Sequence, residues 1–224
     1  MFIGHFAAAF AAKRAAPAVS LGTLFLACQF ADLLWPNLVL AGVEHLAIAP
    51  GITAVTPLDF QSYPYSHSLL ALAIWSAIAA VVYKLIRRAT PPGALLVVAG
   101  LVLSHWVLDV ISHRPDMPLT IGGGTKLGFG LWNSRPATIL VELAMLLIGI
   151  VMYVRTTKPI DRTGMLALTG LIVFLLVINV ANIFGPPPPS VSAVAWSVQA
   201  VWLLVAWGYW IDRHRQLRIP RRPL

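Results

Sequence analysis

The sequence predicts an all-α fold: a single membrane domain over residues 1–224, built as a polytopic bundle of about six transmembrane helices plus a short N-terminal half-span or interfacial helix. Hydrophobic residues make up 58% of the chain and charged residues only 11%, and the mean hydropathy is +0.81. A soluble domain carries roughly 25% charged residues, so this chain has too little charge to cover a soluble surface. Its apolar residues also fall in stretches near the ~20 residues that a spanning helix needs.

The first apolar segment, residues 2–16, is too short to cross a ~30 Å hydrocarbon core at about 1.5 Å per residue. We therefore expect it to form a half-span or an interfacial helix. A cleaved signal peptide carries its positive charges before its apolar core, whereas Lys13 and Arg14 follow the apolar residues here. The segment is expected to stay in the mature protein.

Six longer apolar segments follow, and proline-containing connections separate the later ones. Two of the six are long enough to span but carry ionisable residues: residues 19–43, with Asp32, and residues 93–111, with His105 and Asp109. The other four are predicted as plain spans, at residues 68–86, 137–154, 165–184 and 193–211.

Basic residues mark the sidedness of these spans. The net charge is +8, but the sixteen Lys and Arg residues are scattered in small groups between the apolar segments, which argues against nucleic acid as a partner. The groups occupy alternate connections, which we expect to face the cytoplasm: residues 13–14, 84–88, 155–162 and 213–222. The opposite side then holds the connections that are poorer in Lys and Arg, at residues 44–66, 114–135 and 184–192. We expect an integral protein of a bacterial inner membrane, with a basic cytoplasmic tail at residues 213–224.

Ionisable side chains inside spans are costly and indicate function by default. The densest group is LSHWVLDVISHRPD, in which His105, Asp109 and His113 are spaced i, i+4, i+8. On a helix this spacing places all three along one stripe, where an imidazole and a carboxylate can approach one metal ion. The alternative is a simple helix contact in which Asp109 hydrogen-bonds His105 one turn away.

Three further residues extend this group. Asp32 lies in mid-span with no basic residue within a turn, so it needs a partner from another helix or a metal. Taken singly, His5 and His67 are as readily explained as packed or interfacial histidines. With the predicted orientation, however, these residues, His105 and Asp109 approach one depth near the non-cytoplasmic face, which favours a shared site.

Imidazole and carboxylate ligands without thiolate suit zinc, with manganese or iron as alternatives, and Cys28 is the only cysteine. A divalent metal with an open coordination position activates water as a nucleophile. The predicted chemistry is therefore hydrolysis. The glycines at residues 122–124 lack both the Lys-Ser/Thr ending of a phosphate loop and the spacing of a dinucleotide motif, so we expect a flexible loop there.

Four short strings over roughly the first half of the chain resemble motifs of the YdjM family of membrane-bound, metal-dependent hydrolases. They are GH at residues 4–5, AD at residues 31–32 followed by Pro36, SHSLL at residues 66–70 and SHWVLD at residues 104–109. The His-x-x-x-Asp pair is also similar to one in zinc-dependent phospholipase C and P1-type nucleases, which cleave phosphoesters.

The chain departs from the family pattern in two places. Family members typically show Leu-Pro-Asp-x-Asp-His, and His-Arg-Gly before Thr-His-Ser, whereas this chain has Leu34-Trp35 and Ser62-Tyr63-Pro64 there. These departures remove potential ligands. They favour a mononuclear or divergent centre over a complete multinuclear one.

The resemblance implies a hydrolase in which His105, Asp109 and His113 are catalytic. Its implied metal ligands are His5, Asp32, His67, His105 and Asp109. If the substrate is a phosphoester, cations are available in the loop after the segment at residues 93–111, although a solvated loop explains them equally well: Arg114, Lys126 and Arg135.

The leading hypothesis is thus a membrane-embedded hydrolase of a phosphoester or lipid-linked substrate, with residues 1–135 as the metal-site half and residues 136–212 as supporting helices. An intramembrane pathway for protons or metal ions is an alternative, because such relays also use intramembrane His and Asp. A non-enzymatic scaffold, whose basic tail binds anionic headgroups, is another.

Overall fold

The computed structural model describes residues 1–89 and 91–218. This part of the chain contains ten α-helices. In chain order they are α1 (Phe2–Ala15), α2 (Leu21–Cys28), α3 (Phe30–Leu40), α4 (Pro64–His67), α5 (Leu69–Ile86), α6 (Pro92–Ser112), α7 (Arg135–Thr156), α8 (Arg162–Phe184), α9 (Val191–Val198) and α10 (Val201–Arg213).

Short strands outside the helices pair into two-stranded antiparallel sheets. A single turn of 3-10 helix, Leu131–Asn133, precedes α7. The strand pairs are β1 (His45–Ile48) with β2 (Leu58–Ser62), β3 (Met117–Pro118) with β4 (Lys126–Leu127), and β5 (Thr157–Pro159) with β6 (Arg215–Leu217).

The predicted all-α bundle of about six spans is confirmed. By length and composition, α5, α6, α7, α8 and the stretch from α9 through α10 can each cross a membrane, and α2 with α3 adds a bent sixth. The exterior of the bundle is apolar: Leu85, Leu96, Leu140 and Leu203 expose 70–74% of their surface. Such a surface is unfavourable in water and matches the hydrocarbon core of a bilayer.

Helix starts follow from polar residues at the N-cap. Ser68 Oγ accepts a hydrogen bond from the Ala71 amide at the start of α5 (3.1 Å), and Asp161 Oδ1 accepts one from the Gly164 amide at the start of α8 (2.8 Å). The first amides of a helix have no intrahelical acceptor. These caps therefore fix where two of the spans begin.

The predicted span at residues 19–43 is not continuous. It forms α2 and α3, whose axes differ by 52° across a break at Gln29. At this break the Cys28 carbonyl accepts a hydrogen bond from His105 of α6. The bend therefore brings the backbone of one span to a side chain of another.

The predicted span at residues 193–211 is also interrupted, between α9 and α10 at Gln199 and Ala200. The Gln199 side-chain amide donates to Asn37 Oδ1 of α3 over 3.0 Å. The stretch from α9 through α10 still counts as one span by length and composition, whereas α2 and α3 form a bent pair. The Gln199–Asn37 hydrogen bond joins these two stretches.

The short N-terminal segment forms a half-span enclosed by the bundle, which decides between the two alternatives for it. Ile3, His5, Phe6 and Phe10 of α1 are at most 1% exposed, and α1 packs mainly against α7, with α2 and α6 on other sides. A helix that is apolar all round belongs in a core.

The predicted basic connections gather at one end of the bundle. Lys13 Nζ at the end of α1 donates to the Val19 carbonyl (2.7 Å) and lies 3.5 Å from Asp212 Oδ2 near the end of α10. Arg87 and Arg88, after α5, line a cavity together with residues just before α2. This grouping is the one that alternating connections require.

The connections that are poorer in Lys and Arg meet at the other end of the bundle. The Val55 amide donates to the Trp132 carbonyl (3.1 Å), and Arg135 Nε donates to the Ala54 carbonyl (2.7 Å). The 44–66 and 114–135 connections are therefore joined by hydrogen bonds on one face.

Part of the predicted tail is structured. Residues Arg215–Leu217 form β6 on β5, and Arg215 is only 8% exposed, with its guanidinium carbon 5.4 Å from the centre of the Tyr153 ring. Pairing with β5 satisfies backbone groups that a free tail leaves to water. Residues 219–224, which include Arg221 and Arg222, lie outside the described residues.

Candidate metal centre

The side chains predicted as metal ligands lie together inside the bundle. They come from α1 (His5), α3 (Asp32), α4 (His67) and α6 (His105 and Asp109). The Asp32 side chain is 29% exposed, whereas the other four residues are at most 4% exposed. Their ligand atoms form two overlapping groups, each within 4.8 Å, and His105 belongs to both. The sequence prediction of a common location is thus met, while metal binding stays a prediction.

Asp109 lies between two histidines. Its Oδ1 atom is 3.1 Å from His5 Nε2, and its Oδ2 atom is 3.1 Å from His105 Nε2. The two imidazole rings are stacked, with centroids 3.8 Å apart and planes 3° from parallel. The amino nitrogen of Met1 also lies 2.5 Å from Oδ1. Both carboxylate oxygens of Asp109 are therefore committed to the centre of the site.

Asp32 closes the site from the other side. Its Oδ1 atom is 3.5 Å from His67 Nε2 and 3.7 Å from His105 Nε2. His67 Nε2 in turn lies 3.9 Å from Asp109 Oδ2. The arrangement places three imidazole Nε2 atoms around two carboxylates.

The contacts of His105 bear on the choice between a metal ligand and a simple helix contact. Its Nδ1 atom lies 2.7 Å from the Cys28 carbonyl oxygen, which can only accept, so Nδ1 carries a proton. In the neutral ring, Nε2 then presents a lone pair. This buried atom has no hydrogen-bond partner among the described residues, although Asp109 Oδ2 is 3.1 Å away. A lone pair facing a carboxylate oxygen is repulsive unless a cation lies between them, so the geometry fits a ligand better than a His–Asp hydrogen bond.

His67 is oriented by a buried relay. Its Nδ1 atom is 2.7 Å from Ser66 Oγ, which donates to Glu44 Oε2 over 2.6 Å. Glu44 is 1% exposed, and its Oε1 atom also accepts from the amides of Tyr65 and Ser66. Metal-binding histidines commonly use such an outer partner to fix the tautomer. The relay turns Nε2 of His67 toward Asp32.

We expect Glu44→Gln to weaken metal binding by roughly 10- to 100-fold, the usual effect of losing an outer partner of a histidine ligand. The substitution replaces the Glu44 carboxylate with a neutral amide. The negative charge that orients the Ser66 hydroxyl, and through it His67 Nδ1, is then lost. Competition with a coloured chelator measures the affinity. An affinity unchanged from the wild type would remove Glu44 from the site, and His45→Ala, at an exposed histidine of β1, is the matched control.

Glu142, the carboxylate inside α7, supports α1. Its Oε2 atom accepts a hydrogen bond from the Ile3 amide over 2.9 Å. The first amides of α1 would otherwise be buried without acceptors. Glu142 therefore holds the helix that carries His5, a role that hydropathy alone does not indicate.

A cavity of about 380 Å³ opens beside the site. Asp32, His67 and Asp109 reach it on one side. Its remaining walls are mostly apolar and include Phe174 of α8 and Leu204 of α10. The helices of the second half, predicted as supporting elements only, thus also shape the space in front of the candidate ligands.

His113 is the C-cap residue of α6, and neither of the two ligand groups includes it. Helix α6 ends at Ser112, and His113 has an extended backbone (φ −69°, ψ 152°). His113 instead lines the cavity beside the ligands. Its ring is 4.3 Å from that of Trp132, measured between centroids.

His113 belongs to a second polar cluster. Its Nδ1 atom is 2.9 Å from Asp116 Oδ1, and Tyr63 donates its hydroxyl to the same oxygen over 3.0 Å. Burial and the Asp116 carboxylate raise the pKa of the Tyr63 phenol well above its ordinary value, so the hydroxyl stays a donor.

The three loop cations predicted to contact a phosphate have different partners in the structure. Arg114 forms ion pairs with Asp59 and Asp116. Lys126 donates to the Gln61 carbonyl (3.3 Å) and lines neither of the two cavities at this end. Arg135 lines an adjoining cavity of about 480 Å³, so it alone of the three stays near the route to the ligands.

Glu44, Tyr63, Asp116 and Glu142 were not among the predicted site residues. Asp116 follows His113 at i+3, a spacing visible in the sequence, and Glu142 is an unpaired carboxylate inside a span. Glu44 and Tyr63 carry no such local signal, because their partners are distant in the chain.

The donor set fits a divalent cation. Imidazoles of His5, His67 and His105 and two carboxylates, without thiolate, suit zinc or another first-row ion. His67 and His105 have the outer hydrogen bonds that such ligands use.

Comparisons with protein-family models, with curated proteins and with solved structures found no match for this chain.

Proposed function

We propose that this protein is a membrane-embedded, metal-dependent hydrolase of a phosphoester or lipid-linked substrate. The observation that carries the proposal is the buried Nε2 atom of His105, which faces Asp109 at 3.1 Å and has no hydrogen-bond partner within residues 1–89 and 91–218. The convergence of His5, Asp32 and His67 on the same place supports it. The resemblance of the sequence strings to YdjM-type hydrolases agrees with this proposal.

A divalent metal, zinc first, would supply the site with a water of lowered pKa. His5, Asp32, His67, His105 and Asp109 would hold the ion. Asp32 is the candidate ligand with the largest exposed fraction, 29% of its side chain, so it would stand nearest the incoming substrate. Burial of the other ligands excludes bulk water from the remaining sides.

The cavity supports an apolar substrate. Trp35, Phe174, Ile178 and Leu204 provide an extended apolar wall, and hydrophobic walls with few polar groups are typical of sites for apolar ligands. An acyl or other alkyl chain would lie against this wall, with its ester group toward Asp32.

The finer localisation is part of the proposal. A bacterial inner membrane, a cytoplasmic C-terminus and a site toward the non-cytoplasmic face are supported by the alternating basic connections. The structure groups Lys13 and Arg215 at one end and the candidate ligands away from it.

Elemental analysis of purified protein tests the proposal. Wild-type protein prepared without chelators is expected to contain a divalent metal, and His105→Ala is expected to lose it. His45→Ala, at an exposed histidine outside both ligand groups, serves as the control and keeps the metal. A folded wild type without bound metal would overturn the proposal.

A second candidate is an intramembrane pathway for protons or divalent ions. The break between α2 and α3 favours it, because α3 carries the candidate ligand Asp32 and transporters use discontinuous helices near their binding sites. Flux in proteoliposomes decides the question. No flux above background for protons or divalent ions removes this candidate.

A further inference from the structure

His113 and Asp116 form a dyad next to the candidate ligands. Asp116 Oδ1 lies 2.9 Å from His113 Nδ1, and both residues are at most 5% exposed. Because a carboxylate accepts, Nδ1 carries a proton. Nε2 is then the ring nitrogen left without a hydrogen bond among the described residues, and His113 lines the same cavity as Asp32 and Asp109.

The imidazole is held on several sides. Its centroid is 4.8 Å from that of Phe60 and 4.3 Å from that of Trp132. The Tyr63 ring lies 6.2 Å from the His113 ring and 5.2 Å from the His67 ring. Tyr63 is therefore a neighbour of both the dyad and the candidate ligand His67.

Acidic groups outnumber cations beside the dyad. Arg114 pairs with both Asp59 and Asp116, so two carboxylates share one guanidinium next to the imidazole. Among the described residues that line this cavity, His113 carries the only ionisable side chain outside the candidate ligands.

We propose that His113, oriented by Asp116, is the proton donor to the leaving oxygen, and that the substrate is a phosphoester of an aliphatic alcohol. The inference rests on the proposed hydrolase function. An alkoxide is a poor leaving group unless it is protonated as it departs. The mostly apolar wall of the cavity would receive the alkyl part of such an ester.

Hydrolysis exchanges one bond at phosphorus for another. The water oxygen forms a bond to phosphorus, and the bond from phosphorus to the leaving oxygen breaks. The leaving oxygen keeps the electron pair and takes the proton from His113 Nε2. The water releases one proton to solvent and His113 regains one, so ester and water give an acid and an alcohol.

Two phosphodiesters that share a dodecyl chain test the assignment: dodecyl ethyl phosphate and dodecyl 4-nitrophenyl phosphate. For His113→Gln we expect a loss of roughly 10²- to 10⁴-fold on the ethyl ester, the usual worth of a general acid. The loss on the nitrophenyl ester is expected to be only a few-fold, because nitrophenoxide departs without a proton. Asp116→Asn should show the same pattern, and both variants should keep the wild-type metal content.

The outcomes separate the inference from the function on which it rests. Equal losses on the two diesters, or loss of metal in His113→Gln, overturn the role of His113 and leave a hydrolase. A metal-loaded wild type that hydrolyses neither diester contradicts the proposed function, and the inference with it. His45→Gln, at an exposed histidine, controls for the substitution itself.

Discussion

Asp109→Asn is expected to lose bound metal and to lower the rate of hydrolysis by about 10³-fold, which corresponds to the several kcal/mol of transition-state stabilisation that a metal ion supplies. Asp109 alone contacts two histidines with its two oxygens, His5 at 3.1 Å and His105 at 3.1 Å. An amide of the same shape removes the charge and turns one donor toward an imidazole. Elemental analysis and a phosphodiester assay measure both effects.

Asp161→Asn is the matched control for this substitution. Asp161 caps α8 through the Gly164 amide at 2.8 Å, and asparagine caps a helix about as well as aspartate. We expect wild-type metal content and rate in this variant. An Asp109→Asn protein with unchanged metal content would contradict the assignment of Asp109 as a ligand.

Substitutions at Gly149 are expected to displace α1 and with it His5. A Cβ atom at Gly149 would lie 2.4 Å from the Ala7 carbonyl oxygen, which is backbone and cannot turn aside. Overpacking of this kind costs about 1–3 kcal/mol for a small change, so Gly149→Ala should lower the thermal midpoint and Gly149→Leu should lower it further. Metal content should fall in the same order.

Gly100 of α6 provides the comparison, because a Cβ there meets nothing within 4 Å and the residue faces outward. Gly100→Ala and Gly100→Leu are expected to fold and bind metal as the wild type does. Differential scanning fluorimetry in detergent, with metal analysis of the same samples, covers the series. If Gly149→Leu matches Gly100→Leu in both measurements, the close contact of α1 with α7 does not hold the site.

The fold and the location of the site follow from local properties of the sequence. Apolar length identifies the spans, and the alternation of basic connections assigns their directions. Directions alone bring His5, Asp32 and His67 to the depth of His105, because each lies at a known distance from a connection. The sequence alone therefore predicts that residues far apart in the chain share one site.

The features that the sequence did not indicate depend on contacts between distant segments. The break at Gln29 has no proline beside it. The Cys28 carbonyl at this break is hydrogen-bonded by His105, which lies in another helix. Glu44 matters because it reaches Ser66 across a loop. His113 caps the end of α6, so the i+8 spacing brings it to the cavity that Asp109 lines but not into either ligand group.

The enclosed position of α1 also constrains how the protein is made. Helix α1 precedes its main neighbour, α7, by more than a hundred residues, because α7 spans Arg135–Thr156 and is synthesised much later. A helix of 14 residues is too short to be threaded across the bilayer alone. The insertion machinery therefore has to release α1 into a partly assembled bundle, and the His5 corner of the site is completed only after the second half of the chain has entered the membrane.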